Sequence, residues 1–439
     1  MSSKKRVRKF LIPAVLIVIL AVSMSAVYMS YSQSSQQKAD PGVYVGVAFA
    51  GNTTAEAKQL IDKVKDYTNL FIFATGSNPI SKNQSTIEEI CDYAVANGLS
   101  VIVNVGVKDA TNSPYWNWFW NHPSLDSIKQ RWTDRWGTKF LGMYYNDEPG
   151  GIQLDATWRQ FYEWAMAEGH LNETGFPAGQ ALDDIRQKLL NYVDNGTKPT
   201  PDDYEIEADF FMQYVIAQDP GFENLTASGI PTFTSDYGLY WWDYKGGYNT
   251  IFTELGWNDS VAEQIDLVKG AARLQDKDWG TMITWKYYNP PYLDTGDEIY
   301  NQMLESYQAG AKYISIFNYP YDGGAYGTLT NQHFAAMQKF WNTITTKHVD
   351  DLSAPKAALV LPKNFGWGLR NPNDTIWGFW LTDNRTQQVA FVTSKLVSYY
   401  GVNLDIVYED PAYPVTNVNY QNVYYWNSTT PMAALFKGV

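Results

Sequence analysis

The chain has 439 residues, 33 basic and 46 acidic, for a net charge of −13. Residues 1–40 hold six of the basic and one of the acidic side chains, so the remainder stands at −18, which disfavours nucleic acid as a partner. The single cysteine, Cys91, excludes internal disulfides and reads as a small buried hydrophobe on a helix.

The N-terminus opens with Lys4, Lys5, Arg6, Arg8 and Lys9, followed by an apolar run from Phe10 to about Tyr28. That run is long enough for a helix to cross a hydrocarbon core of roughly 30 Å, and the basic cluster places its leading end in the cytoplasm. Residues 1–29 therefore predict a membrane anchor, the alternative being a cleaved signal peptide; both place the body outside the cell. Residues 30–41 are Ser/Gln-rich and predict a flexible stalk. Nine N-x-[ST] sequons, at Asn52, Asn83, Asn172, Asn195, Asn224, Asn258, Asn373, Asn384 and Asn427, fit a glycosylated surface protein.

Beyond the stalk, apolar runs alternate with amphipathic ones. Strands are predicted at 43–50, 69–74, 100–105, 139–146, 230–235, 249–254, 279–285 and 312–318. Helices fall between them at about 54–67, 85–98, 124–136, 259–275 and 295–309, with a last one at 331–347. Capping boxes are predicted at Thr53/Glu56 and Ser85/Glu88. A Trp-rich loop, 115–120, precedes the third helix, and a helical insert covers 153–226. Eight short, β-branched, doubly apolar strands separated by helices predict an α/β fold, a (β/α)8 barrel over residues 42–350. The weak link is 236–248, which has no clear helical period, and an open doubly wound sheet is the alternative. From 354 to 439 the pattern restarts as a small α/β domain, with strands at 356–361, 404–408 and 420–426 and a helix at 386–400.

In such a barrel, chemistry gathers at the C-terminal strand ends. Those ends carry Tyr144, Asn146, Asp147 and Glu148 after strand four. Asp236, Trp241 and Trp242 follow strand five, and Glu254 and Trp257 follow strand six. Strand seven ends in Trp285, Lys286 and Tyr287, and strand eight in Asn318 and Tyr319. Carboxylates beside aromatic platforms suit glycoside hydrolysis, where paired carboxyls serve as acid and as nucleophile or base. The catalytic candidates are Glu148, Asp147, Asp236 and Glu254; the other rim residues are candidates for substrate binding. The four histidines are scattered without ligand spacing, so no metal is assigned, nor any cofactor or oligomeric state.

The segment GMYYNDEPGG, 142–151, resembles the fourth strand of glycoside-hydrolase-like TIM barrels ending in Tyr-x-x-Asp-Glu-Pro. It is also similar to the Asn-Glu-Pro ending of the large retaining glycosidase clan, which implies that Glu148 is the general acid/base. Asp147 stands between Asn146 and Glu148, a departure from that ending. The barrel followed by an α/β domain is similar to family 42 β-galactosidases. Where the clan carries a nucleophilic Glu on strand seven, this chain has Trp285 and Lys286. The second carboxylate is then expected from Asp236 or Glu254, with Lys286 holding one carboxylate ionised while Glu148 keeps its proton. Two functions follow: a membrane-anchored glycosidase acting on carbohydrate, or a catalytically silent surface protein that binds glycan or builds the envelope.

Overall fold

The computed structural model describes residues 41–74, 79–104, 125–155, 198–217, 219–257, 259–320 and 326–427. Their first eight strands are β1 (Tyr44–Phe49), β2 (Leu70–Phe73), β3 (Ser100–Asn104), β4 (Phe140–Tyr144), β5 (Thr232–Asp236), β6 (Thr250–Leu255), β7 (Asp278–Ile283) and β8 (Tyr313–Asn318). They pair in parallel and in chain order, and β1 pairs with β8 from Tyr44↔Tyr313 to Phe49↔Asn318, so the sheet closes into a barrel. Closure excludes the open doubly wound alternative.

The strands are buried along almost their whole length because both faces are covered. One face fills the barrel with Ala48, Leu70, Ile72, Ile102, Tyr144, Phe233, Phe252, Met282 and Tyr313. The other packs against the helices. Side chains alternate between these faces, so the interior residues fix which later residue on each strand points up the barrel axis.

The helices on the outside are α1 (Thr54–Val64), α2 (Gln84–Ala96), α3 (Leu125–Trp136), α4 (Pro149–Asp155), α5 (Pro201–Phe210), α6 (Pro220–Ala227), α7 (Tyr240–Gly246), α8 (Val261–Leu274), α9 (Gly296–Gln308) and α10 (Asn331–Thr346). The Thr53/Glu56 capping box forms as expected. The Ser85/Glu88 box does not: Asn83 caps α2, accepting from the Ser85 amide at 3.0 Å. Glu88 instead turns to α3, where Arg131 reaches it at 2.6 Å and the Trp132 indole N–H at 3.1 Å. The guanidinium of Arg131 pulls the Glu88 carboxyl down to about 2.

The patternless stretch 236–248 contains α7. It shows no amphipathic period because Tyr240, Trp241, Trp242, Asp243, Tyr244 and Gly246 are all buried, leaving no polar face to read. Of the helical insert, the described residues are 153–155, which end α4, and 198–217 and 219–226, where α5 continues into a π-helical run at Phe211–Ala217 and α6 follows. The Trp-rich loop, the sequons Asn172, Asn195 and Asn258, and the rest of the insert lie outside the described residues, as do the expected anchor and stalk. Among the described residues, no helix is long and apolar enough to cross a membrane.

A second, three-stranded parallel sheet follows, ordered β10 (Leu404–Tyr408), β9 (Ala357–Leu361), β11 (Asn422–Tyr425), with α11 (Asn384–Tyr400) beside it. Strand β10 lies against α8 of the barrel. There the Lys269 ammonium, fully buried, contacts Asp266 at 3.2 Å and Asp405 at 3.4 Å and donates to the Val402 carbonyl. Arg273 reaches Asp405 at 2.7 Å and the Ser353 carbonyl at 2.6 Å. The helix approaches so closely that a Cβ on Gly270 would lie 2.5 Å from the Ile406 carbonyl oxygen. Gly270→Ala is therefore expected to destabilise the protein by about 1–3 kcal/mol in chemical denaturation, through overpacking against rigid backbone. An unchanged midpoint would show that the sheet can shift at no cost.

Candidate active site

Strands β4, β5 and β6 carry the polar groups at the C-terminal mouth. Inward-facing Tyr144 ends β4, and its hydroxyl donates to Asp147. The Ser235 amide donates to the Tyr144 oxygen at 2.9 Å, and the Ser235 hydroxyl donates to Glu254 at 2.6 Å. Ser235 Oγ also lies 3.3 Å from Asp147. Glu148 completes the group: its carboxyl and that of Glu254 are in hydrogen-bond contact.

Two carboxyls can bond to each other only if one is protonated. Of the two, Glu148 is raised further and holds the shared proton more tightly. Burial and the negative charge of Glu254 push Glu148 up to about 11. Burial and the charge of Asp147 raise Glu254 to about 8, despite the Ser235 bond. Asp147 is raised mainly by burial and held back by its Tyr144 bond. It is ringed by protein, yet its surface is open to solvent, as for a group on the floor of an open cup. This arrangement offers a proton donor touching a potential nucleophile or base.

The backbone here is held rather than relaxed. Asn146 and Glu148 both lie at positive φ, 56° and 52°, a costly conformation for a glutamate. The Glu148 amide donates to the Ser235 carbonyl at 3.0 Å, and the Thr234 hydroxyl to the Asn146 carbonyl at 2.6 Å.

Asp236, a catalytic candidate from the sequence, is placed elsewhere. It is fully buried and points away from the interior, accepting the amides of Gly150 at 2.6 Å, Gly151 at 2.8 Å, Tyr237 at 2.7 Å and Gly238 at 3.2 Å. It thus caps α4, the helix that leaves directly from Glu148. The glycines are required: a Cβ on Gly150 would sit 2.5 Å from the Gly238 carbonyl oxygen, and one on Gly151 would strike the Tyr237 ring. Burial raises Asp236 to about 7 while these four amides pull it down. Behind it, burial and the charge of Asp236 push the Asp243 carboxyl well above the usual carboxylate range. Asp236→Ala would orphan these amides and is expected to cost at least about 2 kcal/mol in denaturant unfolding; a loss under half of that would mean water replaces the carboxylate.

Trp241 and Trp242, expected at the mouth, are 2% and 0% exposed. They face the second sheet: the Trp242 ring lies 4.5 Å from Tyr408 and 4.7 Å from Trp377, and the Trp241 indole donates to Asp410 at 3.3 Å. Lys286 does not face the carboxylates but pairs with Asp294 at 2.7 Å. Asn318, being one residue beyond inward-facing Phe317, packs beneath Gly327. Trp257, Trp285, Tyr287 and Tyr319 do stand at the strand ends. The rings of Trp285 and Tyr319 are 5.4 Å apart, and that of Trp285 is 5.9 Å from Phe317.

Sequence reasoning passed over Ser235 and Phe317. Strand parity offered both: Phe233 faces inward, so Ser235 does and Asp236 does not. Arg370 clamps α4 from the second sheet's side. Arg370 reaches Asp155 at 2.8 Å and Asp374 at 2.7 Å and lies over the Tyr237 ring at 5.2 Å. Trp367, Trp377 and Trp380 of the same segment are buried in this packing. Among the described residues, no group of three or more His, Cys, Asp or Glu is arranged to hold a metal ion.

The molecule is thus a closed eight-stranded parallel α/β barrel whose mouth holds a carboxyl pair. No family model matches the chain, and no curated protein matches it in sequence. Solved structures similar to it include glycoside hydrolases. A β-galactosidase from the Antarctic haloarchaeon Halorubrum lacusprofundi is 11% identical with a TM-score of 0.43, over 83% of this chain and 66% of that one. The chain therefore spans just under two thirds of that enzyme. A GH5_18 variant from Streptomyces cattleya, in complex with Manβ1-4GlcNAc, is 12% identical with a TM-score of 0.46, over 88% and 99%. A 3-hexulose-6-phosphate synthase from Salmonella typhimurium is 8% identical with a TM-score of 0.33, over 70% and 100%. The likeness across such different chemistries is one of barrel architecture and assigns no activity.

Proposed function

We propose that this protein hydrolyses glycosidic bonds, with Glu148 as proton donor and Glu254 as the second carboxyl. The observation that carries this reading is the direct Glu148–Glu254 contact at the barrel mouth. A sugar entering the mouth parts the pair. Glu148 then gives its proton to the leaving glycosidic oxygen as that oxygen's bond to the anomeric carbon breaks, and Glu254 attacks the same carbon. Carboxyls in hydrogen-bond contact lie closer than the about 5–5.5 Å of retaining enzymes, and a sugar that opens them to that spacing, short of the about 6.5–9.5 Å that admits a water, gives this covalent route. Water then cleaves the Glu254 ester, returning its proton to Glu148. Asp147 and Tyr144 sit beside the pair and hold its charge balance. The basic N-terminal cluster and the apolar run from Phe10 to Tyr28 support a site working on glycan at the outer membrane surface.

One observation favours the second reading, a silent glycan-binding protein: β7 ends without a carboxylate, and Glu254 lies one strand away from the position that the resemblance implies. A panel of oligosaccharides and aryl glycosides, assayed with the full chain and with Glu148→Gln, separates the two. Oligosaccharide turnover that Glu148→Gln lowers by about a thousandfold supports hydrolysis. Binding without turnover, unchanged in Glu148→Gln, supports the silent protein.

A further inference from the structure

Among the described barrel residues, the exposed large hydrophobic side chains are Tyr287, Tyr288 and Tyr319, at 44%, 83% and 39%. All three stand at the ends of β7 and β8, beside the mouth. The acids come from the β4–β6 side, so the mouth is divided into a proton-bearing side and an aromatic side. The aromatic side has two layers. Phe317, Trp285 and Tyr319 form an inner wall continuous with the barrel interior. Farther out, the Trp257 and Tyr288 rings meet at 4.9 Å and 46°.

This outer pair is built, not incidental. Trp257 lies at φ 56°, an outlier for a bulky residue, and its amide is tied to the Trp285 carbonyl at 2.6 Å. The turn that presents Tyr288 is closed by the Lys286 and Tyr287 amides, both donating to the Tyr292 carbonyl at 2.8 and 3.0 Å. The cation of this turn, Lys286, is committed to Asp294, so the shelf offers flat apolar faces and little charge. Trp257 follows Glu254 by three residues, so the shelf and the carboxyl pair share the β6 end of the mouth.

We propose that Trp257 and Tyr288 form a second sugar-stacking subsite, and that the ligand is an oligosaccharide rather than a single sugar on a small aglycone. Flat rings with polar edges suit the C–H faces of neutral pyranoses in an extended chain. This deepens the glycan reading of the mouth and rests on it.

The test uses the full chain carrying Glu148→Gln, which slows turnover, titrated calorimetrically with cello-, manno- and chito-oligosaccharides from disaccharide to hexasaccharide. Affinity is expected to rise with length in at least one series. Adding Tyr288→Ala is expected to remove about three- to tenfold of that gain, and Tyr288→Phe to retain it. The solvent-exposed Tyr288 is unlinked to the core, and Phe391→Ala, on exposed α11, serves as the surface control that leaves the gain intact. Disaccharide binding with no dependence on length, or a length gain untouched by Tyr288→Ala, overturns the shelf and leaves the glycan reading standing. No binding in any series overturns both. A dimer in sedimentation that Tyr288→Ala dissociates would assign the shelf to self-association and overturn the proposal.

Discussion

Replacing Glu148 with glutamine is expected to lower kcat on an oligosaccharide by about a thousandfold with little change in KM, since positioned proton transfer is worth roughly 10²–10⁴ in rate. The amide keeps the shape of the carboxyl and a donor toward Glu254 but has no transferable proton. An aryl glycoside with an acidic leaving group needs no proton, so it should restore much of the lost rate to Glu148→Gln. Glu254→Gln should be equally slow on both substrates, because it lacks the attacking carboxylate. The pH profile follows from the same pair. Glu254, raised to about 8, must be ionised, and Glu148, raised to about 11, must stay protonated, so activity should lie on the alkaline side between these limbs. An acidic optimum, or aryl glycosides rescuing both variants alike, would remove these roles from the pair.

The second large effect is on stability, and its sign is opposite to that of an ordinary salt-bridged carboxylate. Glu148, Glu254 and Asp236, at about 11, 8 and 7, keep protons that the unfolded chain releases near its ordinary values of 4.5 and 3.8. Above about pH 4.5 the native state binds more protons than the unfolded one, so stability is fully present below that pH and is lost as pH rises toward the native values. Each carboxyl that stays protonated contributes a slope of about −1.4 kcal/mol per pH unit. Stability against thermal unfolding should therefore fall by several kcal/mol between about pH 5 and pH 8. Glu148→Gln combined with Glu254→Gln should flatten this slope and stabilise the protein at about pH 8, a trade of activity against stability. Glu88 acts the other way: its lowered carboxyl withdraws stability as pH falls below about 4.5 toward about 2. A melting temperature that stays level from pH 5 to 8 would show that the three carboxyls titrate as ordinary ones.

The eight strands were legible because each is a short apolar run buried on both faces, and periodicity reports burial directly. The barrel followed from their number and from the helices between them. α7 escaped because a helix buried all round has no period. At the site, residue type identified the carboxylates, but parity decided which of them face the mouth. Glu254 shares its face with Phe252, whereas Asp236 sits one residue past inward-facing Ser235 and became a cap. Trp241 and Trp242 show the same limit: an aromatic after a strand end signals a platform only if nothing packs over it, and here the second sheet does. Lys286 was read by sign of charge, but Asp294, eight residues on, claims it. Contacts between distant segments, such as Arg370 on α4, leave no local pattern in the chain.

The pairing of β1 with β8 has a consequence for synthesis of the chain. Tyr44 and Tyr313 are neighbours in the sheet yet lie about 270 residues apart in sequence, so the closing contact waits until nearly three quarters of the chain has been made. Until then β1 and the most recently made strand each present an unpaired edge, a template for pairing with another nascent chain. Truncations that end before Asn318 are expected to aggregate rather than to form smaller barrels. The cell must shield these edges until the eighth strand arrives, and only then do β4, β5 and β6 hold Glu148 and Glu254 in register.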